Sequence, residues 1–246
     1  MNIEVSIEGT VGVVALARPP VNALSRAMIA ELIAALQAMD ADARVRAVVL
    51  TGKGRCFSAG VDLKEQLHAL ETGGDGPIDI GVDLYRALLY GRKPTIAAIN
   101  GPALGAGLGM AASCCILAAS ETATFGIPEI DVGMLGGARH AMRLLGHSTV
   151  NRMLLTGRPL SAADMARRGA IEACVRPDEL MDYALGIARE IAARDPHAVE
   201  MARASLARIE DMGVLEGYAS EMAAAAELGR TPNAQAAMRA FLARRT

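Results

Sequence analysis

The sequence predicts an α/β fold built on a parallel sheet, and three observations point there. Apolar, often β-branched runs at residues 47–51, 95–99 and 114–119 are separated by helix-patterned segments. The first two of these runs each lead into a glycine-rich junction, and from Asp178 onward the chain is almost entirely helical. Alternating strands and helices favour parallel strands joined by right-handed crossovers. At 246 residues the chain holds one large core with an appendage: an α/β core over residues 1–190 and a helical region over 191–246.

Each element has a local reason. Residues 3–7 and 11–17 alternate or run β-branched around Glu8-Gly9-Thr10, which reads as a hairpin, and Pro19 and Pro20 stop it. Ser25 is an N-cap for a helix that places Ala27, Ile29, Leu32, Ile33, Leu36 and Met39 at helical spacing up to Asp40. After the strand at 47–51 and the first junction, residues 70–79 (LETGGDGPID) read as a mobile polar loop. A helix over 80–90 then precedes the strand at 95–99.

Past the second junction, 114–119 and 122–125 read as strands, and Pro128-Glu129 closes the latter. Helices follow at 138–145, 150–155 and 161–168, the last opened by a capping-box-like Ser161 and Asp164. Residues 172–175 form a last short strand. The amphipathic tail, punctuated by Pro196, Gly213 and Pro232, packs either on a neighbouring subunit or as an outer layer on its own core.

Composition removes several functions. Apolar residues make up 52% and charged residues 21%, with net charge −2, so no electrostatic grip on nucleic acid or anionic lipid is expected. Without Trp, and with three Phe and four Tyr, there is no aromatic platform for stacking bases. Cys56, Cys114, Cys115 and Cys174 show neither C-x-x-C spacing nor the ladder of a secreted scaffold, which fits a reduced, cytoplasmic protein. The uncharged run at 95–120 is long enough to raise the question of a membrane span, but Asn100, Gly101, Pro102, Gly105, Gly107 and Gly109 break it. The first residues, MNIEVSIEG, show no secretory signal. No metal cluster, dinucleotide fingerprint or P-loop ending is present.

The two junctions, FSAGVDL at 57–63 and INGPALGAGLG at 99–109, carry the chemistry. Glycine and alanine admit a close backbone approach, and a helix N-terminus leaves its first N–H groups unpaired, so two such junctions can hold one developing negative charge. No acid or base stands between Thr95 and Ser120, so a proton carrier must come from elsewhere.

Taken with RPPVNAL at 18–24, GRCFSAGVDLK at 54–64 and FGIPEIDVG at 125–133, these motifs resemble, in order and spacing over essentially the whole chain, the enoyl-CoA hydratase/isomerase or crotonase superfamily. The resemblance implies a crotonase-like (ClpP/crotonase) spiral of ββα units, a C-terminal helical trimerisation region, and a homotrimer or dimer of trimers. It also implies an acyl-CoA substrate, with coenzyme A entering as part of that substrate and no tightly bound cofactor. By motif, the thioester oxygen falls to the N–H groups of Val61 and Ala106, flanked by Ala59, Gly60 and Gly105.

Family hydratases carry two glutamates at positions matching Gly109 and Glu129, and only Glu129 is present here. One glutamate matches double-bond isomerisation best, with hydration or dehydration of an enoyl-CoA close behind. Where hydratases commonly run Gly-Ala-Gly-Gly, this chain has Gly137-Ala138-Arg139-His140. His140 is thereby a candidate second acid/base group, and Arg139 a candidate partner for a substrate carboxylate, which raises acyl-CoA decarboxylation as an alternative. A non-catalytic acyl-CoA binder is another. Lys64 matches a position near the coenzyme A phosphates, with Arg18, Arg244 and Arg245 weaker candidates. Asp62 and Asp131 read as structural.

Overall fold

The structure is a computed structural model that describes residues 2–243. Nine strands and eleven α-helices are present among them. The hairpin forms as β1 (Ile3–Glu8) and β2 (Val11–Leu16), and Ser25 caps α1 (Arg26–Ala41) by accepting from the Met28 N–H. The main sheet continues through β3 (Ala47–Gly52), β4 (Thr95–Ile99), β6 (Ile116–Ser120) and β9 (Ala173–Val175). Its order is β1-β2-β3-β4-β6-β9, and every pairing except β1 with β2 is parallel. A second sheet holds β5 (Ala103–Leu104), β7 (Thr124–Gly126) and β8 (Leu160–Ser161). The two-residue strands β5 and β8 are too short to leave a periodic trace in the sequence.

Side chains alternate across the main sheet, as strand geometry requires. Val14, Leu16, Val48, Leu50, Ala97 and Ile99 face one core with Leu32 and Leu36 of α1, Leu84 and Leu88 of α3 (Gly81–Tyr90), and Leu108 of α4 (Ala106–Ala112). Val11, Val13, Ala47, Val49, Ile96 and Ala98 face the other side, where Leu180, Ala184, Leu185 and Ala188 of α8 (Leu180–Ala192) cover them. Both faces of the central strands are dry, which is why those strands read as unbroken apolar runs.

Three local expectations change. The polar stretch 70–79 is not one loop: α2 (Leu63–Thr72) runs into it until Gly73, whose φ of 70° makes a left-handed cap. Pro77–Ile80 then forms a 3₁₀ turn, tied down by Ile78 N–H donating to Gln66 Oε1 at 3.2 Å and Gly76 N–H to Asp79 Oδ2 at 2.6 Å. The helix expected over 138–145 is one turn, α5 (Ala138–Ala141), and α6 starts early at His147 because Gly146 caps it (His147–Thr156). Ser161 does cap α7 (Ala162–Arg167), donating to Asp164 Oδ2 at 2.8 Å while accepting from its N–H at 3.1 Å.

Helix α8, packed on the main sheet, ends at Ala192. Beyond it, α9 (Pro196–Ile209), α10 (Val214–Gly229) and α11 (Pro232–Ala243) bury only Gly217, leaving Leu206, Leu215, Tyr218 and Phe241 exposed. Among the described residues no helix is long and apolar enough to cross a membrane, and no cluster of ligating side chains is arranged for a metal.

Candidate active site

The two glycine-rich junctions meet. Ser58 N–H donates to Pro102 C=O at 3.1 Å and Leu104 N–H donates to Ser58 C=O at 2.9 Å, so the first junction pairs with β5 of the second. Gly60, at φ +90°, lies so close that a Cβ there would stand 2.8 Å from the Leu104 oxygen and 3.3 Å from the Ala106 nitrogen. Only glycine allows that approach.

Both expected donors are left free by their surroundings. Leu24 bridges the first junction through Leu24 N–H to Gly60 C=O and Asp62 N–H to Leu24 C=O, bonds that flank Val61, whose own N–H has no partner among the described residues. Ala106 is the first residue of α4, behind Gly105 as cap, so its N–H has no partner within the helix. Ala59 donates to Val21 C=O at 2.9 Å and fixes the strand entering the junction.

Asn22 holds this arrangement from below. Fully buried with φ of +50°, its Nδ2 donates to the carbonyls of Cys56 (2.8 Å), Lys53 (3.1 Å) and Phe57 (3.2 Å), and its Oδ1 accepts from Arg18 N–H at 3.0 Å. Replacing it with Ala strands buried carbonyls, and Asn22→Ala is expected to cost about 3 kcal/mol of stability. Urea unfolding of the two proteins checks this; a midpoint unchanged from wild type contradicts it. Asp62 caps α2 by accepting from Lys64 and Glu65 N–H, and pairs with Arg18 at 2.6 Å, which holds its carboxyl below the usual carboxylate range despite partial burial. Its structural role agrees with the sequence reading, and it occupies Arg18.

A cavity of about 360 Å³ opens beside the junctions. Ala59, Gly60, Val61, Gly105 and Ala106 line one wall, apolar groups such as Leu24, Ile29, Val82, Met134 and Leu135 form most of the rest, and Glu129, Asp131, Tyr85 and His140 supply polar groups. Pro128 starts the 3₁₀ turn Pro128–Val132 and sets Glu129 inward. The Glu129 carboxylate packs over Gly105, where a Cβ would lie 2.3 Å from Oε1. Its Oε2 is buried without a hydrogen-bond partner, and burial pushes the carboxyl above its usual range. Burial of this kind makes the carboxylate a stronger proton acceptor than a solvated glutamate.

His140 also lines the cavity, its ring centroid 4.0 Å from that of Tyr85. Burial, with Arg143 and Arg139 nearby, lowers the pKa of its imidazole, so it stands neutral at physiological pH.

Three residues singled out in the sequence lie outside the cavity lining. Arg139 does not line the cavity; it points outward and pairs with Asp211 at 2.7 Å, next to Arg143, whose Nε bonds Glu210 at 2.6 Å. The basic side chain thus packs against the turn that follows α9. Gly109 is buried and does not line the cavity, because Tyr85 stands over it: a Cβ there would be 2.9 Å from the Tyr85 hydroxyl oxygen. Lys64 is exposed on the first turn of α2, outside the cavity but beside the lining residue Leu63. Arg244 and Arg245 lie outside the described residues. Tyr85 itself was not singled out by the sequence; its helix was expected, but no local pattern says which of its residues turns toward α4.

Comparison with known proteins decides what this architecture is. The family model described as enoyl-CoA hydratase/isomerase matches residues 6–246. The chain belongs to the enoyl-CoA hydratase/isomerase family. A probable enoyl-CoA hydratase of Rhizobium meliloti (strain 1021) is 38% identical over 245 residues, covering 98% of this chain and 95% of that protein. A "(7aS)-7a-methyl-1,5-dioxo-2,3,5,6,7,7a-hexahydro-1H-indene-carboxyl-CoA hydrolase" of Mycobacterium tuberculosis (strain ATCC 25618 / H37Rv) is 36% identical, covering 85% of each chain. A solved enoyl-CoA hydratase subunit from Geobacillus kaustophilus HTA426 superimposes with a TM-score of 0.90 at 34% identity, covering 100% of this chain and 96% of that one. The crotonase-type α/β fold implied by the motifs is therefore the fold of this chain, and it is an acyl-CoA enzyme of that family.

Proposed function

We propose that the chain hydrates a 2-enoyl-CoA thioester, and runs the reverse dehydration, with Val61 and Ala106 N–H holding the thioester oxygen and Glu129 carrying the proton. The carrying observation is the placement of the Glu129 carboxylate against Gly105, one residue before the Ala106 N–H. A base and an oxyanion donor so close together act on the carbons next to a thioester carbonyl. Two of the relatives above, both named as enoyl-CoA hydratases, support the choice of hydration.

The steps balance with one carboxylate. Water oxygen bonds to the β-carbon, the carbon–carbon double-bond pair moves onto the thioester oxygen as an enolate, and the water proton passes to Glu129. That proton then goes to the α-carbon as the carbonyl re-forms, giving a 3-hydroxyacyl thioester. Donors fixed at the developing oxyanion contribute to the rate because they need no reorganisation, each being worth about 2.7–4 kcal/mol. Lys64, exposed on the first turn of α2, remains the candidate for the coenzyme A phosphates.

The missing carboxylate at Gly109 favours a second reading, isomerisation, in which Glu129 takes the α-proton of a 3-enoyl thioester and returns it to the γ-carbon. Short and medium 2-enoyl and 3-enoyl thioesters, followed by mass and ultraviolet absorbance, separate them. Hydration is expected to give a mass gain of one water from the 2-enoyl substrate. A 2-enoyl product from the 3-enoyl substrate with no water gained selects isomerisation, and conversion of neither leaves only an acyl-CoA binder.

A further inference from the structure

We propose that the Tyr85 hydroxyl is the second polar arm of this site, donating a hydrogen bond to the oxygen that joins or leaves the acyl β-carbon while Glu129 takes or returns that oxygen's proton. The inference rests on the acyl-CoA reading above and narrows it to thioesters oxygenated at the β-carbon.

Gly105 and Gly109 are four residues apart and joined by Gly109 N–H donating to Gly105 C=O at 3.0 Å, so they share a face of α4 about 6 Å apart along its axis. Each lies under a functional oxygen from another element. A Cβ at Gly105 would stand 2.3 Å from Glu129 Oε1, and one at Gly109 would stand 2.9 Å from the Tyr85 oxygen. Both oxygens therefore overhang the same face at the start of α4, beside the Ala106 N–H.

Their chemistry is complementary. Among the described residues nothing hydrogen-bonds the Tyr85 hydroxyl, yet it is not sealed off, and Tyr85 lines the cavity; its partner must come from there. Burial, and secondarily the Glu129 charge, push the phenol up to about 12, so it keeps its proton and acts as a donor. Glu129 Oε2, buried and unpartnered, is an acceptor. One water or β-hydroxyl satisfies both: its lone pair accepts from Tyr85 and its O–H donates to Glu129. The His140 ring packed on Tyr85, at an interplanar angle of 39°, fixes the phenol's direction. A 3-enoyl thioester undergoing isomerisation has no oxygen for this arm.

Tyr85→Phe removes one oxygen and keeps the ring. Hydration kcat is expected to fall about 10²-fold with KM within a few-fold. Binding gives a readout independent of turnover. In a Glu129→Gln background, calorimetry is expected to show 3-hydroxybutanoyl-CoA binding about tenfold more tightly than butanoyl-CoA, a preference that Tyr85→Phe erases. Gly109→Ala, which displaces the hydroxyl without deleting it, is expected to erase the preference as well. A preference that survives Tyr85→Phe, or that is absent with Tyr85 in place, overturns the proposal while leaving the Glu129 reading intact. Failure of every variant and the wild type to bind either thioester overturns both.

Discussion

Glu129→Gln is expected to lower turnover by about 10²–10⁴-fold, the usual worth of a positioned acid/base group, with acyl-CoA affinity nearly unchanged. The amide fills the same space over Gly105 but cannot accept and return a proton. Wild-type activity should also carry the signature of this carboxyl. Burial raises it above its ordinary value near 4.5, so on acidification kcat/KM falls earlier than a solvated glutamate would dictate. The sign for stability is the opposite of the common carboxylate case. As pH rises past about 4.5, the unfolded chain gives up this proton before the folded one does, so folding stability drops through the folded value and stays reduced above it. Glu129→Gln is therefore expected to melt higher than wild type at pH 8, the difference vanishing near pH 4. Thermal melts at both pH values check this, and a variant less stable at pH 8 speaks against an uncompensated buried carboxylate.

Gly105→Ala should be nearly as damaging, for a different reason. At φ +53° and ψ −121° a side chain is strained wherever it points, at a cost of about 1–3 kcal/mol. The added methyl also meets Glu129 Oε1 at 2.3 Å, so the carboxylate must move, and the Ala106 N–H beside it loses its aim. A turnover loss of about 10²–10³-fold is expected along with the lower melting temperature. Gly9→Ala separates the two effects. Gly9 has a similar φ of +63° in the exposed β1–β2 turn, with nothing within 4 Å of a Cβ, so it should lower stability and leave kcat unchanged. Equal kinetic losses in both variants would show that the Gly105 contact has no part in the reaction.

How much of this was legible in the sequence depends on how local the cause is. Ser25 and Ser161 cap the helices they announce because a cap acts within three residues. The junctions are legible because bare backbone at a strand-to-helix turn needs Gly and Ala in sequence, and Glu129 because it occupies a fixed place in the family-like motif at residues 125–133. Gly109 reads in the sequence as a missing carboxylate, and nothing local says that Tyr85, from a helix more than twenty residues earlier, stands over it. Arg139 is a candidate in the sequence because, with His140, it replaces glycines that family hydratases commonly carry there. Adjacent residues on a helical turn point about 100° apart, and Asp211, the partner that takes Arg139, sits on a distant helix end. Asn22 lay inside a quoted motif, but its three carbonyl partners span residues 53–57 and appear only once the chain is folded.

The central claim is that Glu129 moves a proton at the α-carbon of a thioester held by Val61 and Ala106. Hydrogen exchange isolates that step from the choice between hydration and isomerisation. Butanoyl-CoA, which has no double bond to hydrate or shift, incubated with the protein in deuterium oxide and followed by proton NMR, is expected to lose its α-proton signal with wild type. With Glu129→Gln the signal should persist. Exchange by Glu129→Gln at the wild-type rate would contradict the account.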